Sequence, residues 1–212
     1  MKLSQFWRVL PTNRMIYKLK NDPYIDPKTG ILRNLFDAPD QATLNQIEAE
    51  ITVAVITTMN EHPILGDFDL KHLTVIHHQL FANIYSWAGK LRTVEMTKDD
   101  TRFAPVAYLE QAAKITFDEL KNERYLDDLS DVEYIRRFAH YYSEVNILHP
   151  FREGNGRAER VFFTLLAQRS GRHIAWDLTD PDLGVEASIA AYHGDESQLV
   201  ALFTSLFTKN EK

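Results

Sequence analysis

Apolar residues spaced three or four positions apart recur through most of residues 40–209, and this spacing constrains the fold more than any other feature of the chain. Such a period places apolar side chains on one face of a helix, which then packs against a core. Asp40, Asp69 and Ser130 precede three such runs and are side chains that cap helix N-termini. Further helices are predicted after Pro105, over Arg157 to Arg169 and within residues 183–209. The chain is therefore predicted to be a mainly α protein.

The spacing also predicts which side chains are buried. For the first helix these are Leu44, Ile47, Ile51, Val55 and Thr58, and for the second Leu70, Leu73, Ile76, Leu80 and Ile84. The third has Val106, Leu109, Ala113, Phe117 and Leu120, and the fourth has Ile135, Phe138, Tyr142, Val145 and Leu148. Near the C-terminus, Ile189, Leu199, Leu202, Phe203 and Leu206 are predicted to be buried.

One segment has a different pattern. Residues 91–97 mix β-branched and polar side chains, Lys98-Asp99-Asp100 is typical of a turn, and Thr101 to Ala104 follow. A short β-hairpin over residues 92–104 is predicted. It is the only β element that the sequence indicates.

Charge and cysteine content exclude several kinds of protein. The chain has no cysteine, so it has neither disulfides nor thiolate metal sites. Five basic and no acidic residues lie in residues 1–21, so the net charge of −6 leaves −11 on residues 22–212. Such an acidic body argues against broad nucleic-acid binding, and no apolar run approaches the ~20 residues that span a bilayer. We expect a basic N-terminal extension over 1–21, an irregular segment over 22–40, and a single intracellular domain over 22–212.

The residues with the clearest chemistry lie between two predicted helices, in His149-Pro-Phe-Arg-Glu-Gly-Asn-Gly-Arg-Ala-Glu-Arg160. Its glycines let the backbone approach a ligand, and the free N–H groups at the start of the next helix form an anion site. Arg157 and Arg160 share a helix face and can reach one polyphosphate. Glu153 supplies a hard oxygen of the kind that Mg²⁺ takes beside phosphate, and His149 is suited to accept a proton near neutral pH. Together they indicate phosphoryl or nucleotidyl transfer.

Each of these residues also has an ordinary explanation. A histidine after a helix is commonly a capping or packing residue, a glutamate in a turn is commonly solvated, and two arginines at helical spacing commonly form surface ion pairs. Any one of these explanations is preferable when the residue is taken alone. Their coincidence within twelve residues favours the functional interpretation.

The segment resembles the Fic family, whose pattern H-x-F-x-(D/E)-G-N-G-R-x-x-R it matches at every fixed position. Upstream, Leu70-Lys-His-Leu73, Ile76-His77, Leu80-Phe81 and Trp87-Ala-Gly89 are similar to the family's preceding helix and the approach to its flap. Asn21 to Tyr24, Ala187 to Ile189 and Tyr192 to Gly194 resemble the Fic domains of Vbh-type toxins and of Bartonella effectors delivered by type IV secretion. The resemblance covers residues 20–208 and implies the Fic fold, a helical bundle with a β-hairpin flap.

The resemblance implies AMPylation, the transfer of AMP from Mg-ATP to a hydroxyl of a target protein. His149 would be the general base, and Glu153 would hold Mg²⁺ between the α- and β-phosphates. The anion hole would consist of backbone donors around Gly154, the Asn155 side chain and Gly156. Arg157 would neutralise the β-phosphate and Arg160 would engage the γ-phosphate, while Phe151 would anchor the loop in the core.

The hairpin would be the flap, which pairs with an extended segment of the target through backbone hydrogen bonds. The expected target-binding flap residues are Thr97, Lys98, Asp99, Asp100, Thr101 and Arg102. Tyr192 would line the adenine pocket, with a simple core aromatic as the alternative. His77 is expected in the core, and His140 is expected to support the active loop.

Gly156 bears on the transferred group, because relatives that transfer the γ-phosphate carry lysine there. Glycine therefore favours transfer of AMP. Two alternatives stay open: transfer of another phosphate-linked group on the same scaffold, and a non-catalytic module that binds a nucleotide only as a structural ligand.

Many Fic proteins carry an inhibitory motif, (S/T)-x-x-x-E-(G/N), whose glutamate pairs with the second arginine of the active segment. Here only Thr57 and Glu61 have this spacing, and His62 follows Glu61. A small helical antitoxin that inhibits in trans is therefore expected.

The resemblance implies a host small GTPase or a bacterial topoisomerase subunit as the target. It also implies a location in the bacterial cytoplasm or, after translocation, in the cytosol of a host or recipient cell, and it fits a chain that is the N-terminal part of a longer protein.

Overall fold

The computed structural model of the protein describes residues 22–98 and 101–207, and within these ranges it contains seven α-helices and one two-stranded hairpin. The helices are α1 (Gln41–Glu61), α2 (Leu70–Phe81), α3 (Leu109–Asn122), α4 (Asp131–Leu148), α5 (Asn155–Arg169), α6 (Pro181–Tyr192) and α7 (Ser197–Leu206). Strands β1 (Thr97–Lys98) and β2 (Thr101–Arg102) form the hairpin. The prediction of a mainly α protein with one hairpin is confirmed. The expected basic extension over residues 1–21 lies outside the described residues.

The predicted helix starts are confirmed at three caps. Asp40 accepts a hydrogen bond from Thr43 N at 2.8 Å, and Asp69 accepts one from His72 N at 2.7 Å. At α4 the Ser130 hydroxyl accepts from Glu133 N at 3.4 Å and donates to the Glu133 carboxylate at 2.7 Å. These side chains satisfy backbone donors that the first helical turn leaves free.

Helix α5 lies at the centre of the core, and helices α2, α3 and α4 pack around it. Its buried residues are Ala158, Glu159, Val161, Phe162, Phe163, Leu166 and Ala167, together with Asn155 at its start. Phe162 contacts the rings of His72 and Phe117, while Phe163 contacts Phe138. The N-terminus of α5, which follows the glycine-rich turn, is therefore fixed in place by the core.

The buried face of α1 differs from the predicted one. Its buried residues are Leu44, Glu48, Thr52, Ile56 and Met59, whereas Ile47, Ile51 and Val55 are only partly buried and Thr58 is exposed. The buried face of α1 is offset by about one residue from the predicted face, because the Glu48 side chain points into the protein and bonds to Arg157 and Tyr85. The prediction for Ile189 is also wrong: this side chain is 41% exposed.

The hairpin is shorter than predicted. Thr97 is paired with Arg102 and Lys98 with Thr101, and residues 91–96 and 103–104 lie outside the strands. Backbone groups that flank the strands bond to the end of α4 and to the loop after it: Arg92 N donates to Pro150 O at 2.8 Å, and Ala104 N donates to Ile147 O, in the last turn of α4, at 3.0 Å. The hairpin is thus joined on one side to the segment that carries the predicted chemistry and on the other to the helix that precedes it. Asp99 and Asp100, which lie between the two strands in the sequence, are outside the described residues.

Among the described residues, no helix has both the length and the apolar composition that crossing a bilayer requires.

Candidate active site

The loop between α4 and α5 begins at His149, which has left-handed backbone torsions of φ 44° and ψ 58°. Few residues other than glycine adopt this conformation, and it turns the chain sharply away from α4. The His149 ring is only 3% exposed and stacks on Phe103, with centroids 3.8 Å apart. Phe103 directly follows β2, so access to His149 depends on the position of the hairpin.

The surroundings of His149 keep its imidazole neutral. Burial, with a contribution from the nearby Arg92 guanidinium, lowers the pKa of His149 to about 3. Arg92 is itself buried and donates to His149 O at 2.8 Å and to Val94 O at 2.8 Å. A neutral imidazole is the form that accepts a proton. His149 is therefore in the form that a base requires, and its role as the base stays a prediction.

The Asn155 side chain holds the loop in shape. Its Oδ1 accepts from Phe151 N at 2.8 Å, and its Nδ2 donates to Phe151 O at 2.7 Å. Phe151 is fully buried, as expected for an anchor. The Asn155 side chain thus braces the loop, and its predicted part in an anion hole stays a prediction.

Gly154 and Gly156 have different surroundings, and the close approach of a ligand to their backbone stays a prediction. Gly154 has φ 80°, and a Cβ there would lie 2.4 Å from the Phe81 ring, so this position requires glycine. A Cβ on Gly156 would meet nothing within 4 Å. No side chain caps α5, which leaves amide N–H groups of its first turn available to an anion.

Glu153 is positioned through its backbone and its carboxylate. His77 Nε2 donates to Glu153 O at 2.9 Å, and His77 Nδ1 accepts from Gly89 N at 2.8 Å. His77 also stacks on Phe151 at 3.8 Å, and burial lowers the pKa of His77 to about 3. The expectation that His77 lies in the core is confirmed. The Glu153 carboxylate accepts from Gly154 N at 2.9 Å and stays 24% exposed.

Arg157 and Arg160 have different surroundings. Arg157 Nη2 lies 2.6 Å from Glu48 Oε2 and 3.5 Å from Glu153 Oε1, and its guanidinium packs 4.6 Å from the Phe81 ring centroid. Arg160 is 5.9 Å from the Trp176 ring centroid, and no carboxylate in the described ranges forms an ion pair with it. Arg160 is therefore the arginine more available to a ligand.

A cavity of about 180 Å³ adjoins the start of α5. Its lining includes Gly156, Glu159, Arg160, Trp176, Ile189, Tyr192, Lys98, Thr101 and Phe103. The cavity thus brings residues predicted to bind phosphate, aromatic and aliphatic side chains, and the hairpin together. Tyr192 lies on its wall, and its hydroxyl accepts a hydrogen bond from Arg102 N at 3.1 Å; its contact with adenine stays a prediction.

His140 has a different environment from the expected one. Its Nδ1 lies 2.9 Å from Glu196 Oε1, in a pair that links α4 to the segment before α7. The expectation that His140 supports the active loop is not reflected in its contacts.

Sequence reasoning missed Glu48, Tyr85, Arg92 and Phe103. The available signal for Glu48 was its place in the series Leu44, Glu48, Thr52, Ile56, where the step of four continues an apolar face through a carboxylate. The other three had no sequence signal, because their roles depend on contacts between distant segments.

Comparison with known proteins identifies the family. The model of the Fic/DOC family matches residues 67–167. The protein adenylyltransferase VbhT of Bartonella schoenbuchensis is 39% identical over 193 residues, which are 91% of this chain and 40% of VbhT. A protein of Escherichia coli named Fic is 35% identical over 188 residues, which are 89% of this chain and 93% of that protein. The chain thus spans less than half of one relative and nearly all of the other.

Solved structures agree with these matches. The Fic domain of a Bartonella quintana effector with bound ADP is 25% identical, with a TM-score of 0.82 over 89% of this chain and 96% of that one. The fold of BepC of Bartonella tribocorum, solved with AMPPNP, is also similar, with 24% identity and a TM-score of 0.81 over 89% of this chain and 98% of that chain. The similarity to these relatives, together with the geometry of residues 149–160, shows that the chain belongs to the Fic family.

Proposed function

We propose that this protein is an adenylyltransferase that moves AMP from ATP to a hydroxyl group of a target protein. The observation that carries the proposal is one short loop that holds a neutral, buried His149 at one end and an uncapped helix N-terminus at the other. In the reaction, the target oxygen attacks the α-phosphorus and its proton passes to His149. The bond from the α-phosphorus to the bridging oxygen breaks, and pyrophosphate leaves.

The phosphates would be bound by the first turn of α5 and by the two arginines. The N–H groups around Gly154 to Gly156 lie at the positive end of the helix dipole and would donate to the phosphate oxygens. Arg160, which lines the cavity, would engage the γ-phosphate, and Arg157 would lie nearest the β-phosphate. Tyr192 would contact the adenine end of the nucleotide from the opposite wall.

Glu153 fits a role in holding Mg²⁺. Its carboxylate is partly exposed beside the anion site, and hard oxygen ligands are those that Mg²⁺ prefers. The described residues contain no cluster of three or more histidine and acidic side chains that could hold a metal ion by themselves. One carboxylate combined with phosphate oxygens is the usual arrangement for a Mg-nucleotide. Once bound there, Mg²⁺ would offset negative charge on the phosphates.

The hairpin would present the target hydroxyl. Phe103, directly after β2, stacks on the His149 ring, and an extended target segment paired with the hairpin would lie beside the base. The flap residues Thr97, Lys98, Thr101 and Arg102, together with Asp99 and Asp100, would select the target. A host small GTPase and a bacterial topoisomerase subunit are the candidate targets, in the bacterial cytoplasm or in a recipient cytosol.

Labelled ATP tests the transferred group. The chain is incubated with Mg²⁺, a host or bacterial lysate, and ATP labelled at either the α- or the γ-phosphate. We expect label on protein from α-labelled ATP only, and none with His149→Ala. Label from the γ-phosphate instead would favour transfer of another group. Absence of both labels, with cellular function kept in His149→Ala, would favour a non-catalytic module.

Inhibition in trans is part of the proposal. Glu61 lies at the end of α1, is exposed, and no ion pair joins it to Arg160 in the described ranges. A small helical antitoxin would place its own glutamate against Arg160. Activity of the isolated chain above that of Arg160→Ala would support an external inhibitor, whereas equal inactivity would show that the chain is already silent without one.

A further inference from the structure

We propose that Glu48 is a positioning residue that keeps Arg157 from closing on Glu153 and so leaves the Glu153 carboxylate available to a cation. The inference rests on the proposed function, because the cation is the one that accompanies the nucleotide. Glu48 is far from Glu153 in the chain and belongs to α1, outside the active segment. Its contacts, rather than any motif, assign this role.

One nitrogen atom of Arg157 is shared unequally between two carboxylates. Nη2 lies 2.6 Å from Glu48 Oε2 but 3.5 Å from Glu153 Oε1. The first distance is a charge-assisted hydrogen bond, whereas the second is longer than such a bond. The positive charge of Arg157 is therefore directed mainly to Glu48.

Glu48 is held in the position from which it competes. It is 3% exposed, and its other oxygen accepts a hydrogen bond from the Tyr85 hydroxyl, which is itself buried. Burial and the adjacent Glu48 carboxylate raise the pKa of Tyr85, so the phenol stays protonated and donates. Hydrogen bonds from Tyr85 to Glu48 and from Arg157 to Glu48 thus connect the core to the edge of the site.

Loss of the Glu48 charge would leave Arg157 with one carboxylate partner. A buried guanidinium without its counter-charge is costly, so Arg157 would move closer to Glu153. Glu153 carries a single negative charge, and pairing with Arg157 would oppose its binding to a divalent cation. Loss of the Glu48 charge should therefore weaken binding of the metal ion more than it weakens binding of the nucleotide.

The test measures Mn²⁺ binding by electron paramagnetic resonance in the presence of a non-hydrolysable ATP analogue. We expect Glu48→Gln, which keeps the shape and the hydrogen-bond acceptor, to raise the Mn²⁺ Kd by about tenfold. Binding of the analogue in EDTA should weaken by less than about twofold. Glu50→Gln, an exposed change on the same helix, is the matched control and should leave both values unchanged.

An Arg157→Gln background separates this role from others. There, Glu48→Gln should cause no further change in the Mn²⁺ Kd, because the competing guanidinium is gone. A shift that persists in that background would mean that Glu48 acts by long-range charge, and an unchanged Kd with lowered thermal stability would mean a structural role only. Either result overturns the inference.

Glu153→Gln in the otherwise wild-type chain separates the inference from the proposed function. If it leaves the Mn²⁺ Kd unchanged, the cation site of the proposed function fails as well. If Glu153→Gln raises the Mn²⁺ Kd and Glu48→Gln does not, the inference alone fails.

Discussion

Two buried histidines, His149 in the active loop and His77 on α2 beneath it, are kept uncharged by their surroundings. His149 is enclosed by Phe103 and Arg92, and His77 lies between Phe151 and the backbone of Glu153. Burial lowers the pKa of each to about 3. At the residue scale, exclusion of water thus keeps the proposed base neutral, and the effect on stability should appear at acid pH.

The free energy of unfolding should decrease as the pH is lowered, because His149 takes up a proton more readily in the unfolded chain. The unfolded chain takes up this proton as the pH falls through the ordinary value of 6.5, whereas the folded chain resists it down to about 3. The stabilisation is therefore present above pH 6.5 and is lost as the pH falls. Between pH 7 and 5 the loss from this group is at most about 2 kcal/mol. His149→Asn is the comparison, because asparagine tolerates left-handed torsions, and its urea-unfolding free energy should fall less over that interval; equal slopes would contradict the assignment.

Two glycines of one loop should respond differently to alanine. At Gly154 a Cβ meets the Phe81 ring at 2.4 Å and φ is 80°, whereas at Gly156 a Cβ meets nothing within 4 Å. We expect Gly154→Ala to lower the free energy of unfolding by about 2 kcal/mol or more. Gly156→Ala should be neutral or stabilising by up to ~1 kcal/mol, since alanine is the better helix former. Thermal and urea unfolding of the pair measures this, and equal losses would mean that the loop relaxes around Phe81.

At the element scale, the hairpin shows where sequence patterns stop being informative. Residues 91–96 have strand-forming composition, yet they stay outside the strands because Arg92 directs its backbone and guanidinium to the loop after α4. The capping side chains of α1, α2 and α4 each accept a hydrogen bond from the backbone N–H three residues further along the sequence, so those helix starts could be predicted. The hairpin length depends on partners more than forty residues away, so it could not.

Tyr192 should couple the nucleotide cavity to the hairpin. Its ring lines the cavity, and its hydroxyl accepts from Arg102 N at 3.1 Å on β2. Tyr192→Phe keeps the ring and removes only this bond, which is worth about 0.5–1.5 kcal/mol. We expect the KM for the target protein to rise by about two- to tenfold with little change in the KM for ATP. Faster amide exchange at Arg102 would accompany it, and a rise confined to the KM for ATP would contradict the coupling.

At the scale of the whole molecule, buried ion pairs join the active loop to segments distant in the sequence. Arg157 and Glu48 are 109 residues apart, and Arg152 and Asp22 are 130 apart. The active segment itself could be predicted because its chemistry is concentrated in twelve consecutive residues. Neither pair could be predicted, because the spacing of Glu48 indicates burial but not its partner, and Asp22 looks like an ordinary surface carboxylate until the fold brings it to the loop.

The Asp22 pair makes a prediction about where the folded unit begins. Arg152 Nη2 lies 2.6 Å from Asp22 Oδ2, and both side chains are less than a tenth exposed. Two residues further on, the Tyr24 ring packs edge-on against Trp87 at 5.4 Å, so this segment covers the back of the active loop. Removal of one partner of a buried pair typically costs about 3–5 kcal/mol, because the other charge is left without compensation.

Deletions on either side of Asp22 test this boundary. A chain that lacks residues 1–24 loses the carboxylate and the Tyr24 ring, and we expect its free energy of unfolding to fall by about 3 kcal/mol or more. A chain that lacks only residues 1–21, the expected extension, should stay within about 0.5 kcal/mol of the full chain. Asp22→Asn in the full chain should reproduce most of the larger loss, because it removes the charge without shortening the chain. If the shorter deletion is as damaging as the longer one, the domain begins before residue 22 and the Asp22 pair is not what fixes its edge.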